Sequence, residues 1–351
     1  MNVALIYGGR SAEHEVSIMS AKTIERLLIE GNHTVLLIAI DRRGRWFLQE
    51  HLTDEIDQST PLYIIPADGI YTHHTKLAID VAFPTTHGWG GEDGNLQGLL
   101  TLARIPFAGC DTAASAVGMH KALAQTLFEK AGIPTIPTLV FTSSAIADEE
   151  FLHIGTTLGR NLFVKPENAG SSVGVTALDN PTPQVLASAL EKALAYSERA
   201  LIQPYYKNVI EVECAVFEDA KGELHATDIG VVVNPTSEAF LSYAQKYAQS
   251  GGAYLLLPSI LDQETEDKIK TLALRGFEAI KGGGYARVDF FLVDNKPILN
   301  EINTLPGLTA TSHWPKLITF AGFDLLSVIE DLLVGAINKF NRIWQLRTSY
   351  E

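Results

Sequence analysis

Long apolar runs and closely spaced cysteines are both missing from this 351-residue sequence, and each absence excludes a class of protein. No apolar run approaches the roughly 18 residues that a membrane-spanning helix requires, so membrane insertion is not expected. Cys110 and Cys214 are the only cysteines and lie far apart, which indicates neither a disulfide framework nor a cysteine metal site. The first residues, MNVALIYGG, lack the charged and long apolar regions of a signal peptide, so a cytoplasmic location is expected.

Positive charge is also scarce. The chain has 27 Lys and Arg against 41 Asp and Glu, a net charge of −14, which argues against a nucleic-acid partner. Two nucleotide-binding signatures are absent: GGRSAE is not the dinucleotide fingerprint, and no Gly-Lys-Ser/Thr follows the glycines of AGSSVGV. The hydrophobic content of 46% and charged content of 19% are typical of a globular protein of two or three domains. A cytoplasmic enzyme or binding protein fits these limits.

The most informative stretch is YARVDFFLVDNKPILNEIN, residues 285–303. Two runs rich in Val, Phe, Ile and Leu flank a polar turn, which predicts a β-hairpin. A three-residue loop at 294–296 would place Asp289 opposite Glu301 on one face. A two-residue loop would place these two carboxylates on opposite faces.

The same register places Arg287 opposite Asn303, and strand alternation puts Leu299 on the face of Glu301 and Asn303. Two carboxylates facing each other destabilise a sheet unless a cation lies between them. With the amide oxygen of Asn303, Asp289 and Glu301 form an all-oxygen set that suits Mg²⁺ better than zinc. A solvated polar face is the alternative interpretation.

The N-terminal residues predict the start of an α/β unit. A short strand at 3–7 is followed by two glycines and a helix that opens near Ser11, whose first turn carries Glu13. Glu13 could meet a cationic amine, or could simply be an acid favoured by the helix dipole. His87 follows the third predicted strand, at the kind of sheet edge where α/β proteins bind ligands, although a lone histidine is more often structural.

A second informative stretch is FVKPENAGSSVGV, residues 163–175. A predicted strand carries Lys165 near its end, and the loop at 170–174 is rich in glycine, backbone N–H groups and hydroxyls. Such a loop can fold over a polyphosphate with the lysine as a point charge. An ordinary hairpin turn is the alternative. Further along, the polar segment 235–257 is long enough to be a functional lid.

Taken together, six segments resemble the D-alanine–D-alanine ligases of the ATP-grasp superfamily. They follow the family's order: GGRSAEHEVS, HGWGGEDGNLQG, FVKPENAGSSVGV, YAQKY, ARVDFFL and NEINTLPGLTATS. The resemblance implies an α/β fold, in part α+β, with three domains and ATP held between the second and third. The implied divisions are an N-terminal open α/β domain at 1–110, a central domain at 111–203, and a C-terminal catalytic domain at 204–351 with a lid at about 235–257.

The resemblance also implies how the nucleotide and metal are bound. Asp289, Glu301 and Asn303 match the family's Mg²⁺ ligands, with two ions expected and Mn²⁺ as an alternative. The implied ATP contacts are Lys121 and Lys165 to phosphates, Lys246 on the lid to the γ-phosphate, Glu211 to the ribose, and Ser172 and Gln203.

For the amino-acid substrates, the resemblance implies that Glu13 binds the amino group of the first D-alanine and that His87 lies close to it. Ser312 matches the residue that holds the carboxylate of the second substrate.

The implied catalytic residues are Glu13, Ser171, Tyr247, Arg287 and Gly307. Ser171 and Tyr247 match a hydrogen-bonded pair that, with Glu13, connects the N-terminal domain to the closed lid. Arg287 and the Gly307 N–H match the oxyanion site.

The implied reaction forms D-alanyl-D-alanine from two D-alanines through an acyl phosphate, releasing ADP and phosphate, for peptidoglycan precursor synthesis. A related ligase that makes D-alanyl-D-serine or D-alanyl-D-lactate is the alternative enzyme, and a non-catalytic binding protein is the alternative class. A homodimer is expected only through the resemblance.

Three positions depart from the family's pattern. His120 replaces the usual Asp before the helix lysine, and Gln203 stands where a Glu commonly contacts the adenine end. His313 follows Ser312 where an apolar residue is usual, which concerns the second-substrate pocket. Tyr247 favours D-alanine as acceptor, because relatives that prefer D-lactate resemble one another in having Phe there.

Overall fold

The computed structural model describes residues 1–170, 173–207, 209–234 and 253–348. Its first part is a four-stranded sheet of order β3-β2-β1-β6, in which β1 runs parallel to β2 and β6 while β3 is antiparallel to β2. The elements are β1 (Asn2–Gly8), α1 (His14–Glu30), β2 (Thr34–Ile40), β3 (Trp46–Gln49), β4 (Tyr63–Ile65), β5 (Gly69–Tyr71), β6 (Val81–Pro84) and α2 (Asn95–Leu102). Helix α1 packs on the sheet because Ala21, Ile24 and Leu28 recur at helical spacing and are buried.

The second part contains a four-stranded antiparallel sheet of order β7-β10-β8-β9. Its elements are α3 (Thr112–Met119), α4 (Lys121–Lys130), β7 (Leu139–Phe141), α5 (Asp148–Leu158), β8 (Asn161–Pro166), β9 (Thr176–Asp179), α6 (Pro183–Leu194) and β10 (Ala200–Pro204). Ile154 of α5 and Leu186 and Leu190 of α6 are buried with the apolar strand residues in one core. The predicted glycine-rich loop therefore connects the paired strands β8 and β9, which makes it a hairpin connection as well as a candidate phosphate loop.

The third part is an antiparallel sheet of order β14-β13-β11-β15-β16, with β12 also paired to β11. Its elements are β11 (Ile210–Glu218), β12 (Leu224–Ala226), β13 (Gly230–Val233), β14 (Tyr254–Leu256), α7 (Gln263–Ala279), β15 (Tyr285–Val293), β16 (Lys296–Asn303), α8 (His313–Phe320) and α9 (Leu325–Trp344). Most of the predicted lid, 235–252, lies outside the described residues. The end of that segment forms the strand β14 rather than a loop.

Helices join the third part of the chain to the two parts before it. Ala124 and Phe128 of α4 share a core with strands β11, β15 and β16 and with helix α7. Leu332 and Leu333 of α9 are buried in the core that also contains α1 and the first sheet. The apolar cores thus cross the divisions expected at residues 110 and 203, which remain a prediction.

The mixed α/β class is confirmed. Cys110 and Cys214 are both free and buried, and burial raises the pKa of each thiol to about 12. Among the described residues, no helix is long and apolar enough to cross a membrane.

Candidate active site

The hairpin of β15 and β16 is closed by a shorter turn than the sequence suggested. Val293 pairs with Lys296, so the loop consists of Asp294 and Asn295 alone. Both have positive φ angles, 51° and 58°, as the two-residue type I′ hairpin turn requires. The predicted three-residue loop is therefore wrong.

A β-bulge nevertheless restores the predicted pairing of the two carboxylates. Phe290 pairs with Leu299, whereas its neighbour Asp289 pairs with Glu301, so Asn300 is the extra residue on β16. The bulge moves Glu301 back to the face of Asp289. The prediction that Asp289 lies opposite Glu301 is confirmed. The pairing arises from a two-residue loop combined with a bulge, and not from the three-residue loop and regular strand that were predicted.

The bulge also corrects the predicted orientation of Leu299. Alternation without a bulge placed Leu299 on the face of Glu301, but Leu299 is buried beside Ile302 in the core under the sheet. These two residues are three positions apart and both point inward, which a regular strand does not allow. Arg287 lies opposite Asn303, as predicted.

Arg287 is the cationic centre of this face. Its Nε and Nη2 donate hydrogen bonds to the two carboxylate oxygens of Asp289, each at 2.7 Å, and the amide nitrogen of Asn303 donates to Asp289 at 2.9 Å. Oε2 of Glu213, on the neighbouring strand β11, is 3.4 Å from Arg287 Nε. Such a bidentate pair fixes the guanidinium plane and leaves its remaining N–H donors for another acceptor.

Three carboxylates, those of Asp289, Glu301 and Glu213, lie close together beside Arg287 and Lys121. Burial raises the pKa of Asp289 to about 7; Arg287 opposes this shift, while Glu213 and Glu301 add to it. The pKa of Arg287 is raised well above its usual range by Asp289 and Glu213, against the effect of burial, so it stays charged. A further cation bound to these oxygens would relieve the repulsion, and an oxygen-only set suits Mg²⁺.

Lys121 connects the hairpin to the glycine-rich loop. It is the first residue of α4, and its ammonium lies 3.5 Å from Oε2 of Glu301 and donates to the carbonyl oxygen of Ala169 at 3.1 Å. Lys165 is buried in β8, and β8 leads directly into the same loop. Two predicted phosphate contacts therefore lie on segments that meet at the acidic face.

The other predicted nucleotide contacts that can be located lie on strands. Gln203 is buried on β10 and donates a hydrogen bond to Oγ1 of Thr138 at 2.8 Å. Glu211 lies on β11 opposite Phe291. His120, one of the three departures, lies 3.7 Å from the carboxylate of Glu167. Ser171, Ser172, Lys246 and Tyr247 lie outside the described residues.

Glu13 lies where three segments meet. It is the N-cap residue of α1, and its Oε2 would be 3.1 Å from a methyl group placed on Gly88 and 3.4 Å from one on Gly170. The partly buried carboxylate thus lies beside both the loop after β6 and the loop after β8. Only glycine fits at Gly88, where φ is +69° and a Cβ would also lie 2.6 Å from Oγ of Ser11.

His87 connects the first sheet to the loop after β16. Its Nδ1 donates to the carbonyl oxygen of Leu305 at 2.9 Å, and its Nε2 lies 3.2 Å from Oγ of Ser20, which accepts from the backbone N–H of Leu308 at 3.1 Å. Burial lowers the pKa of His87, so the ring is neutral, with Nδ1 protonated and Nε2 accepting from Ser20. Both ring nitrogens are thus used within the protein.

The loop after β16 folds around Ser312, the N-cap residue of α8. Oγ of Ser312 accepts from the Thr309 N–H at 3.1 Å and lies 2.7 Å from Oγ1 of Thr309. A methyl group on Gly307 would lie 2.8 Å from the same oxygen. The predicted oxyanion donor, Gly307, and the predicted carboxylate-binding residue, Ser312, are therefore neighbours.

Two acidic members of the site were missed by sequence reasoning. Glu92 accepts a hydrogen bond from the Gly88 N–H at 2.9 Å, and burial, with Glu13 adding to it, raises its pKa to about 8. Glu213, on β11, was given no role. The signal for Glu92 was present in the GGEDG segment at a strand end, where acids and glycines often line a site.

The raised pKa of Glu92 predicts a stability effect. Between about pH 5 and pH 8 the native state holds a proton that the unfolded carboxyl has lost, so the free energy of unfolding falls as pH rises through this window. The Glu92→Gln side chain has no carboxyl group to titrate. Over the same pH range, the free energy of unfolding should therefore fall less in Glu92→Gln than in wild type, by a difference of roughly 1–3 kcal/mol. Urea unfolding at several pH values, without ATP or metal, measures this. Glu55→Gln, on the exposed surface, is the control, and parallel curves for wild type and Glu92→Gln would contradict the prediction.

Comparisons with known proteins agree with this architecture. The family models "D-ala D-ala ligase N-terminus" and "D-ala D-ala ligase C-terminus" match residues 2–110 and 127–334. A D-alanine--D-alanine ligase from Bradyrhizobium sp. (strain BTAi1) is 36% identical over 98% of this chain and 97% of its own length. The D-alanine-D-alanine ligase from Coxiella burnetii superposes with a TM-score of 0.83 at 28% identity, covering 98% of this chain and 97% of that one. VanG D-Ala:D-Ser ligase from Enterococcus faecalis superposes with a TM-score of 0.84 at 29% identity, covering 95% and 99%.

The antiparallel sheets that meet at an acidic hairpin and a glycine-rich loop define an ATP-grasp enzyme, as the resemblance implied. Both family models together cover most of the chain, and the relatives align over nearly its full length. The chain belongs to the D-alanine–D-alanine ligase family.

Proposed function

We propose that this protein joins two molecules of D-alanine into D-alanyl-D-alanine at the expense of ATP, releasing ADP and phosphate, for peptidoglycan precursor synthesis. The observation that carries the proposal is that contacts link four segments into one site: the acidic hairpin, Lys121, Glu13 and the loop around Ser312. These segments supply groups for a phosphate, an amine, a developing oxyanion and a second carboxylate.

In the first step the carboxylate oxygen of one D-alanine attacks the γ-phosphorus of ATP and ADP leaves, giving an acyl phosphate. A carboxylate is a poor electrophile, and this conversion provides the leaving group for amide formation. Lys121 and Lys165 offset the negative charge of the phosphates, and Glu13 holds the ammonium group of the first D-alanine. His87, whose ring nitrogens bind Leu305 and Ser20, holds the two sides of this pocket together.

The remaining nucleotide contacts in the proposal are Glu211 at the ribose, Gln203 at the adenine end, Ser172 at the phosphates and Lys246 at the γ-phosphate. Ser171 and Tyr247 complete the proposal as the hydrogen-bonded pair that joins Glu13 to the lid. An acyl phosphate hydrolyses in water, so a lid that excludes water has a clear purpose.

In the second step the amine of another D-alanine attacks the acyl carbon, phosphate leaves, and the amine loses its proton. Ser312 binds the carboxylate of this acceptor. Arg287 and the backbone N–H of Gly307 donate to the oxyanion of the tetrahedral intermediate. Because Asp289 fixes the guanidinium of Arg287 through two hydrogen bonds, the donors are already oriented when charge develops.

The hairpin residues fit Mg²⁺. Asp289, Glu301 and Asn303 offer oxygen ligands on one face, and the pKa of Asp289 is raised by burial first and then by Glu213 and Glu301. These residues would hold the two Mg²⁺ ions of the proposal, or Mn²⁺, which would supply charge neutralisation at the transferring phosphoryl group. A cytoplasmic location, a homodimer and the three-domain division at 1–110, 111–203 and 204–351 belong to the same proposal and rest on the family.

The test is product analysis with the purified full-length protein, ATP, Mg²⁺ and D-alanine. We expect ADP, phosphate and D-alanyl-D-alanine in equal amounts, and no phosphate release when D-alanine is left out. AMP and pyrophosphate would contradict the acyl-phosphate route, and nucleotide binding without turnover would indicate a binding protein. If D-alanine were the slowest acceptor among D-alanine, D-serine and D-lactate, the acceptor assignment would be wrong.

A further inference from the structure

The start of α4 contacts the segment after β8 at two points, and only one of them uses a group that is assigned to ATP. Lys121 donates a hydrogen bond to the carbonyl oxygen of Ala169 at 3.1 Å. Its neighbour His120, the N-cap residue of α4, lies with Nδ1 3.7 Å from Oε2 of Glu167. Two consecutive residues at the helix start therefore meet the segment that leads into the glycine-rich loop.

Glu167 is a buried acid with few partners. It directly follows β8, two residues after Lys165, and its side chain is only 5% exposed. Within the described ranges its carboxylate accepts no hydrogen bond, and the cations within 4.0 Å are His120 and Nε of Arg199. Arg199 is the farther of the two, at 4.0 Å, and its side chain is 58% exposed. Because a buried carboxylate is costly without a cation beside it, the protonated His120 ring stabilises Glu167 where it lies.

The contact through Lys121 is the one that ATP would compete for. The ammonium of Lys121 has three N–H donors, and it already lies near Ala169 and, at 3.5 Å, near Oε2 of Glu301. In the proposed function the same donors also serve the phosphates. His120 and Glu167 have no part in binding phosphate, metal or amino acid, so their contact can persist when the nucleotide is bound.

We propose that His120 and Glu167 are positioning residues for ATP, whose ion pair holds the segment before the glycine-rich loop beside the start of α4. This inference rests on the proposed function and deepens it. The pair fixes the separation of Lys121 and Lys165, which must reach the same phosphates, and so sets the affinity for the triphosphate. Without the pair, KM for ATP rises, while kcat and KM for D-alanine stay nearly unchanged.

The first test varies the charge at position 120 at about pH 6, where imidazole groups are mainly protonated. With the full-length enzyme, Mg²⁺ and saturating D-alanine, we expect KM for ATP to rise roughly three- to fivefold in His120→Leu. His120→Asp places a like charge beside Glu167 and should raise KM further. His120→Lys keeps a cation and should stay within about twofold of wild type. In all three variants kcat should change by about twofold or less.

A double-mutant cycle separates the pair from the effect of each side chain alone. Glu167→Gln keeps the size of the side chain and should raise KM for ATP about as much as His120→Leu does. If the two residues act as a pair, the double variant should have nearly the same KM as either single variant, whereas independent effects would multiply. The matched controls are His153→Leu and Glu149→Gln, both exposed on α5, and they should leave KM for ATP unchanged.

The outcomes separate the two proposals. If wild type forms D-alanyl-D-alanine but both single variants keep its KM for ATP, or if their effects multiply, the inference is wrong and the ligase function stands. An equal rise in KM for ATP and for D-alanine, or a His120→Lys enzyme as weak as His120→Leu, would also contradict the inference. If wild type forms no dipeptide from D-alanine, the proposed function fails and the inference fails with it.

Discussion

A Glu301→Ala or an Asp289→Ala enzyme is expected to lose at least about a thousandfold in kcat/KM, because each substitution removes an oxygen ligand from the proposed metal site. Glu301→Ala should stay folded. Its side chain is 24% exposed and its pair with Lys121 spans 3.5 Å, so the loss should cost about 1 kcal/mol or less of stability. Asp289→Ala should cost more, roughly 3 kcal/mol, because it leaves the guanidinium of Arg287 without its bidentate partner. Steady-state phosphate release and circular dichroism measure the two effects.

A Mg²⁺ titration distinguishes a metal ligand from a merely structural acid. Glu301→Gln keeps the size of the side chain but removes its charge, and we expect its half-maximal Mg²⁺ concentration to rise about tenfold or more. Asp54→Ala removes an exposed carboxylate paired with Lys22 and should leave both rate and Mg²⁺ dependence unchanged. Wild-type rates in Glu301→Ala at ordinary Mg²⁺ concentrations would refute the metal assignment.

An Arg287→Lys enzyme is expected to lose roughly 100- to 1,000-fold in the rate of dipeptide formation, although the positive charge is kept. Lysine cannot make the two parallel hydrogen bonds to Asp289 that fix the guanidinium, and it offers fewer oriented donors to the oxyanion. Because the oxyanion forms only in the second step, acyl phosphate should still form and then hydrolyse. The dipeptide-to-phosphate ratio should therefore fall below one.

The matched control is Arg275→Lys, on the exposed side of α7, where the guanidinium donates to the carbonyl oxygen of Ala131. It should keep both the rate and the coupling of dipeptide to phosphate. Arg287→Lys with full coupling and a rate within a factor of three of wild type would remove Arg287 from the oxyanion site.

The hairpin shows which features strand alternation alone can predict. The pairing of Asp289 with Glu301 was predicted from the period of the two runs, but the loop length and the position of Leu299 were predicted wrongly. The bulge at Asn300 allows Leu299 and Ile302 both to pack into the core. Leu299 packs closely against Gly276 of α7, where a Cβ atom would lie 2.7 Å from Cδ1 of Leu299. The contact with α7 depends on tertiary packing and not on the local sequence pattern of the hairpin, so the bulge could not be predicted from the sequence.

The roles of single polar residues were harder to predict from the sequence than the presence of the motifs. His87 was a candidate ligand contact at a strand end, yet the fold uses both ring nitrogens to join Leu305 and Ser20. Glu213 had no role in the sequence analysis, and only the tertiary structure places it between Arg287 and His313. These partners lie many residues away in the chain, and periodicity gives no information about them.

The sequence by itself determined the α/β class, the acidic hairpin, the glycine-rich loop and, through six segments in order, the family. These features depend on local periodicity, turn residues and motif order, which are properties of neighbouring residues. Only the tertiary structure decided that Lys121 meets Glu301, that Glu13 lies between Gly88 and Gly170, and that Glu92 and Glu213 belong to the site. The physical reason is that such contacts depend on how the helices and sheets pack together, and packing is fixed by the whole apolar core.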